Sequence, residues 1–429
     1  MTSVEVTTLA PAIDIADALF RKIAARTPDP AGEGAGVSRP SFGEGEQIAH
    51  DLVRAIGTQH GLECHVDKVG SLHLTLPGRD RSAAPIVIGS HLDSVPQGGD
   101  YDGTAGVLLG LAVAIGLSRM EVVPPVDIVT LAIRAEESAW FDASYVGSRS
   151  ALGLLSHDDA RKIRRSDTGR SLADHMAEAG FDPSELDDTA PAIDPAKVGA
   201  FIEAHIEQGP LLIDRAVPLG LVSGIRGSLR YRTARCIGEY AHSGATPRHL
   251  RHDAVSATAA LIEATNALWR QFEAAGEDLV FTVGKLHTDP AADAFSKVSG
   301  ETTFTIDVRS LSTDTLDRFD AELQAAAQEI AKTHGVTIEL GPKTGSTPAA
   351  IDGRMIEKLS SLAADLSIGT EIMPSGAGHD AAVFAGAGVP TAMIFIRNTH
   401  GSHNPDESME MADFAEAARL VMAYCLAAK

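Results

Sequence analysis

An α/β fold in two parts is what this 429-residue sequence predicts, and three observations predict it. The length exceeds the roughly 250–300 residues that one hydrophobic core organises, so a second domain is expected, inserted into the first. Short apolar runs, IVIG from Ile86, DIVTLAI from Asp127 and PTAMIFI from Pro390, have the length and composition of buried strands. The first two are joined by a helix-forming stretch, as parallel strands require. From about Gly220 the texture changes to alternating strands with helices between them, and α/β character returns after Lys332. The division expected is therefore a larger domain over 1–219 and 333–429, with a smaller α+β domain inserted over 220–332.

Taken in order, Ile13 to Ala25 has helical apolar spacing, and the Gly/Pro-rich stretch Pro28 to Pro40 forms a loop. FGEGEQIAHDLVRAIGTQHG predicts a helix ending at Gly61. ECHVDKVGSLHLTLPG alternates as a hairpin does, and IVIG then delivers His91 at a strand's C-terminal end, the edge where open α/β sheets build their sites. GTAGVLLGLAVAIGLSR is a helix of small residues, and the next strand closes on Glu136 and Glu137. In the inserted part, YRTARCIGEYAHSGATP alternates, His252 to Ala274 is helical, and LVFTVGKL and TTFTIDVRS are strands. There is no internal repeat.

Composition narrows the function. With 44% apolar and 22% charged residues the chain is globular. The formal charge is −22, from 58 acidic and 36 basic residues, and no Lys/Arg stripe tracks phosphates, which argues against a nucleic-acid partner. The densest basic cluster, RKIRR from Arg161 to Arg165, is expected to be a solvated helix face. Cys64, Cys236 and Cys425 lie far apart without CxxC spacing and suit reduced, structural thiols in a cytosol. The N-terminal segment has acids where a signal peptide needs bases. The longest apolar run, Val107 to Leu117, is shorter than the ~20 residues of a bilayer span. A soluble, cytoplasmic protein without a membrane partner is expected.

The chemistry-bearing residues are His91, Asp93, Asp102, Glu136, Glu137, His205, His379 and His403, all in loops or at strand ends flanked by Gly, Ser or Pro. Singly, each is as compatible with a structural or solvated role. In combination they are not, because LAIRAEESAWF carries two carboxylates straight out of a buried strand. There an uncompensated charge costs roughly several kcal/mol unless a cation neutralises it. Histidine and carboxylate without clustered cysteine favour zinc or manganese.

GSHLDSVPQGGDYDG, the Glu136–Glu137 pair, EAHIEQGP, AHSGATP, DVRS, SGAGHDA and SHNPDE stand in the order found in the M20 peptidase superfamily. The chain resembles its branch of N-carbamoyl-L-amino-acid amidohydrolases, allantoate amidohydrolases and β-ureidopropionases, from about Ser41 to Met411. That resemblance implies a zinc-exopeptidase-like α/β catalytic domain with a mixed, mostly parallel sheet, and two divalent metal ions per subunit, zinc, manganese or cobalt. It implies His91, Asp102 (bridging) and His205 as ligands of one metal, and Glu137 and His403 completing the second. Asp93 would orient His91, and Glu136 would be the general base.

Further along, the resemblance makes His242 an oxyanion-stabilising histidine that acts from the lid of a partner subunit, hence a homodimer. Arg309 would pair with a carboxylate of a small-molecule substrate, the alternative being a surface salt bridge. Gln208 and the turn containing Gly378 and His379 would line the pocket, with His379 equally able to support another group. Two departures stand out: Ser296 replaces an asparagine of the carboxylate pocket, and Trp140 replaces an arginine, either as a core residue or as a narrowing of the pocket. The activity implied is hydrolysis of an N-carbamoyl-L-amino acid to amino acid, carbon dioxide and ammonia. The alternatives are allantoate or β-ureidopropionate hydrolysis, a dipeptidase or N-acyl-amino-acid deacylase, and a non-catalytic binding protein. His60, His65, His73, His249, His252, His287 and His400 are expected to be structural or exposed.

Overall fold

A computed structural model of the protein describes residues 3–32, 34–187 and 190–427. The chain folds as two compact units, Met1–Ser223 with Ala350–Ser375 and His379–Lys429, and Gly224–Ala349 with Gly376–Gly378. In the larger unit, α1 (Ser3–Arg26) and α2 (Glu44–Gln59) precede the hairpin of β1 (Glu63–Val66) and β2 (Leu72–Leu76). Then come β3 (Ile86–His91), α3 (Thr104–Arg119), β4 (Ile128–Ile133) and, after a helical segment, β5 (Ala200–Ile206).

The sheet runs β1-β2-β4-β3-β5, followed by the strand Thr391–Ile396. β4, β3, β5 and Thr391–Ile396 are mutually parallel along that path, while β2 is antiparallel to β4. The sheet is thus mixed and mostly parallel, as expected. Parallel strands end on one edge: His91 pairs with Ile133 and His205 with Phe395, so the segments that follow them leave from the same side. That register brings residues more than a hundred positions apart to one edge of the sheet.

α3 is buried from Thr104 to Leu117. Such all-round burial requires apolar neighbours on both sides: β3, β4 and β5 on one, α1 and the helix Met411–Leu426 on the other. Its small residues set how closely it approaches the sheet. A Cβ on Gly106 would lie 2.1 Å from the carbonyl oxygen of Ala204, the residue before His205.

The smaller unit is antiparallel. Its long strand Gly227–Ile237 pairs with Glu301–Ser310 on one side and with Thr337–Glu339 and Lys343–Ser346 on the other. Strand Glu301–Ser310 alternates buried with less buried residues, and its inward side chains meet the helices Ala254–Ala274 and Thr313–His334 in a separate core. The unit ends at Ala349 rather than at the expected Lys332. Lys332 lies inside the helix Thr313–His334, and the two strands after that helix complete the sheet.

Two local expectations are corrected. RKIRR is not uniformly solvated: the helix His157–Lys162 stops before its last three residues, and Arg165 is buried. It donates to Asp167 and to the Ser41 carbonyl, with its guanidinium 5.2 Å from the Trp140 ring centre. Trp140 is accordingly a core residue, its indole N–H donating to Ser94 O at 2.7 Å. All three cysteines are free; Cys236 and Cys425 are buried, whereas Cys64 is exposed on β1. No described helix is long and apolar enough to cross a membrane.

The close approach at Gly106 gives a stability prediction. Gly106→Ala forces α3 away from β5 and should cost on the order of 1–3 kcal/mol, read as a lower urea midpoint at unchanged m-value. Gly386→Ala, at the exposed end of the helix Asp380–Gly386 with no atom within 4 Å of the new methyl, should leave the midpoint unchanged or raise it slightly.

Candidate metal centre

Four parallel strands and the loops that follow them converge around Asp102. Its Oδ1 lies 3.1 Å from His205 Nε2 and 3.5 Å from His91 Nε2, while its Oδ2 lies 3.4 Å from His403 Nε2. His403 Nε2 is in turn 3.5 Å from Glu137 Oε1, and His91 Nε2 is 3.8 Å from Glu136 Oε2. Among the described residues these form three groupings able to hold a metal ion: His91–Asp102–His205, Asp102–Glu137–His403 and His91–Glu136–Glu137. Gly103, directly after Asp102, has φ +63°, and a Cβ there would stand 2.3 Å from the His91 ring. Glycine at that position gives the imidazole its room.

The electrostatics are those of an acidic cluster with histidine neighbours. Burial pushes the Asp102 carboxyl up, but the charges and hydrogen bonds of His205, His403 and His91 outweigh it and hold Asp102 well below the usual range. Burial works the other way on the histidines, and the surrounding carboxylates outweigh it: Glu136, Asp93 and Asp102 hold His91 well above its ordinary value, and Asp102 raises His205. The hydrogen bond to Asp102 lifts His403 to about 9. Burial, with repulsion from Asp102, raises Glu137 to about 7, and burial pushes Glu136 well above the carboxylate range.

Glu137 Oε1 is buried and has no hydrogen-bond partner. A buried oxygen of that kind is costly unless something positive meets it. The donor set of imidazole nitrogens and carboxylate oxygens, with that orphaned oxygen aimed among them, fits divalent cations.

Neighbouring groups fix these side chains. Asp93 does more than face His91, whose Nδ1 is 3.3 Å from its Oδ1. It also accepts from the backbone N–H of Glu136 at 3.1 Å, from that of Glu137 at 3.2 Å, and from Ser41 Oγ at 2.6 Å. Gln208 Nε2 donates to Asp102 Oδ2 at 2.8 Å. His379 is buried beside His205, ring centres 4.5 Å apart, and burial holds it well below the ordinary histidine value, so it is neutral and lies outside the three groupings. The expected bystander histidines also lie outside them.

Several supporting residues escaped the sequence reading. Glu407 accepts the N–H groups of Tyr101 and Asp102, at 2.9 and 3.0 Å, and the hydroxyl of Ser402, which also bonds Asp102. Glu203, inside β5, accepts from Ser90 and from the Ala381 N–H. Asp380 accepts from Ser148, and burial beside Glu203 raises its carboxyl to about 8. A buried acid inside a strand was the one available signal. Ala135, Gln208 and His403 hold left-handed φ angles of 51°, 63° and 60°, a concentration of strained non-glycine residues typical of functional sites.

His242, Ser296, Arg309 and Gly378 belong to the smaller unit. There His242 and Ser296 are brought together: the short strand Ala241–His242 pairs with Lys297–Val298, and Ser243 N–H donates to Ser296 O at 3.1 Å. His242 Nδ1 accepts from the N–H groups of Gly244 and Ala245, which leaves the proton of the neutral ring on exposed Nε2. Arg309 donates from Nε and Nη2 to Asp307 and from Nη1 to Gly376 O.

The family model described as Peptidase family M20/M25/M40 matches residues 87–427. The chain is 33% identical to the allantoate amidohydrolase of Escherichia coli K12, over 86% of this chain and 87% of that one. It is equally 33% identical to the N-carbamoyl-L-amino acid amidohydrolase of Geobacillus stearothermophilus, over 90% and 92%. The crystal structure of an amidase of the hydantoinase/carbamoylase family from Burkholderia multivorans superposes with a TM-score of 0.86, at 26% identity over 96% of this chain and 97% of that one. With the match running from β3 through every residue of the metal-binding groupings, the chain belongs to the peptidase family M20/M25/M40.

Proposed function

We propose that the protein hydrolyses a linear amide beside a carboxylate, its substrate being an N-carbamoyl-L-amino acid. The observation that carries the reading is Asp102, whose Oδ1 faces His205 and His91 and whose Oδ2 faces His403, so that it would belong to both ligand sets. In this reading His91, Asp102 and His205 hold one divalent ion and Asp102, Glu137 and His403 the other. Zinc, manganese and cobalt all suit the donors. Bound there, such ions supply Lewis-acid polarisation of the scissile carbonyl and acidification of water.

The chain's own residues do the rest. With Glu137 engaged as a ligand, its neighbour Glu136 stays free to take a proton from the attacking water and return it to the leaving amine. Burial raises its carboxyl above the usual carboxylate range, in the direction of a stronger base. His242 presents Nε2–H to the developing oxyanion, acting from the lid of a second copy in a homodimer. In the smaller unit Arg309 takes the substrate carboxylate, with Ser296 shorter than the asparagine it replaces and Gly378 a further substrate contact; in the larger unit Gln208 and His379 are the substrate-contacting residues. Cleavage of the ureido C–N bond then gives the amino acid and carbamate, which breaks down to carbon dioxide and ammonia.

The equal similarity to an allantoate amidohydrolase supports a second reading in which allantoate is the substrate. Ammonia release from L-N-carbamoyl amino acids, allantoate and β-ureidopropionate, with free-amino-acid release from dipeptides as a control, separates the two. Turnover of the carbamoyl compounds is expected, and turnover of allantoate alone would select the alternative.

Metal removal should abolish ammonia release, and added zinc, manganese or cobalt should restore it. A ligand imidazole must be unprotonated, yet His403 titrates near 9 without metal. Cation binding therefore expels a proton at neutral pH, and affinity should fall as pH drops below about 9, more steeply below 7 where Glu137 also protonates. Calorimetry in buffers of different ionisation heat counts those protons; a pH-independent affinity would contradict the ligand set.

Glu136→Gln should lower kcat by roughly 10²–10⁴-fold while the bound-metal count stays at that of the parent. Parent-level turnover in this variant would remove Glu136 as the base.

A further inference from the structure

The loop that carries Glu136 and Glu137 begins with Ala135, a non-glycine residue in the left-handed region at φ 51°. Such a conformation is strained for a residue with a Cβ and persists only where neighbours impose it. The imposing group comes from far away in sequence. Glu46, in the first turn of α2 and completely buried, accepts the Ala135 N–H on Oε1 at 2.9 Å. Its Oε2 accepts the N–H of Phe42, itself left-handed at φ 54°, at 2.7 Å, and Arg134 Nη1 at 2.8 Å.

The two following N–H groups, of Glu136 and Glu137, are held by Asp93. On the carbonyl side, Ala135 O accepts from Val146 N–H at 2.9 Å and Glu136 O from Tyr145 N–H at 3.0 Å. Three successive N–H groups are thus held by two buried carboxylates, and the first fixes the direction in which the next two side chains leave the backbone. Arg134 is itself anchored, through Nε to Gly70 O at 2.8 Å and through Nη2 to Gln47 Oε1 at 2.6 Å, with its guanidinium 5.2 Å from the Phe181 ring centre. Glu46 therefore cannot follow the loop if the loop relaxes. It touches none of the residues in the metal-binding groupings.

We infer that Glu46 is a positioning residue for Glu136: its carboxylate locks the left-handed turn at Ala135 and so aims the proton-accepting group. This rests on the proposed role of Glu136. An ion pair with Arg134 alone would need only the charge. The geometry uses both oxygens, one on each of two left-handed residues, which neither an amide nor a shorter acid reproduces.

The test measures kcat, KM, metal content and amide hydrogen exchange of the segment 135–137 in Glu46→Gln and Glu46→Gln/Ala135→Gly. Glu46→Gln should lower kcat about 10- to 100-fold, the scale on which a displacement near 1 Å costs rate. KM and metal content should stay at parent values, and exchange at 135–137 should speed up. Glycine adopts φ near +50° without penalty, so the double variant should regain most of the lost kcat. Should Glu46→Gln fail to fold, Glu46→Asp keeps the charge facing Arg134 but cannot span both N–H groups, and the same kcat-selective loss is expected. Unchanged kcat, a loss that tracks missing metal or unfolded protein, or no recovery with glycine would overturn the inference. Exchange that speeds up while Glu136→Gln stays active would sink the base assignment and leave the positioning intact; unchanged exchange with Glu136→Gln inactive would do the reverse.

Discussion

The arrangement of the larger unit depends on one electrostatic constraint: Asp102 is buried at the sheet edge with Glu136, Glu137 and Asp93 close by. Bringing several carboxylates out of water together costs several kcal/mol each before compensation, by order of magnitude. The chain meets that cost in two ways. Backbone N–H groups and hydroxyls are spent on Asp93 and Glu407, which therefore stay fixed. Asp102 and Glu137 face histidines across gaps of 3.1 to 3.5 Å; Asp102 also accepts from Gln208 and Ser402, while Glu137 Oε1 has no hydrogen bond.

The same constraint explains the backbone. A parallel sheet delivers strand ends to one edge, but the side chains that follow still need particular directions, and regular structure does not supply them. Left-handed residues at Ala135, Gln208 and His403 turn the chain where helix or strand would carry it past the site. Gly103 removes a methyl that would strike His91. Each such position is unstable alone and stable only within the network. A network of this kind holds the Glu136 and Glu137 side chains in fixed directions beside Asp102 and the histidines.

How much of this was legible in the sequence follows from where the information lies. The strands bearing His91 and the two glutamates were readable because a buried parallel strand is a short apolar run, and an acid at its end is conspicuous. The order of motifs then pointed to His91, Asp102, Glu137, His205 and His403, which the structure brings together with Glu136 in the three groupings. Glu46 and Arg165 were not readable in the same way. Glu46 looks like an ordinary first-turn helix acid, and Arg165 like part of a solvated cluster; their roles exist only through partners 89 and 124 residues distant. Glu407 sat within a recognised motif, but nothing local distinguishes it from its exposed neighbour Asp406. The domain end at Ala349 was missed because the strands Thr337–Glu339 and Lys343–Ser346 are short and largely exposed, so they lack the apolar run that marks a strand. Only pairing with Gly227–Ile237 defines them.

Arg309 combines a fixed ion pair with free donor capacity. A guanidinium has five N–H donors. Asp307 accepts from Nε and Nη2, and Gly376 O takes one hydrogen of Nη1, so two donors remain, one on each terminal nitrogen. Asp307 also accepts from Arg230 Nε at 2.8 Å, and this second cation helps hold its carboxyl below the usual range, where it stays ionised. The Asp307–Arg309 pair sits two residues apart on the same face of one strand, an arrangement that fixes the plane of the guanidinium. Such a pair looks like the surface salt bridge that was the bland alternative for Arg309, yet it leaves two terminal donors for a carboxylate to accept. In the proposed reading the salt bridge is therefore what orients the substrate-binding fork, and the two interpretations of Arg309 are parts of one device.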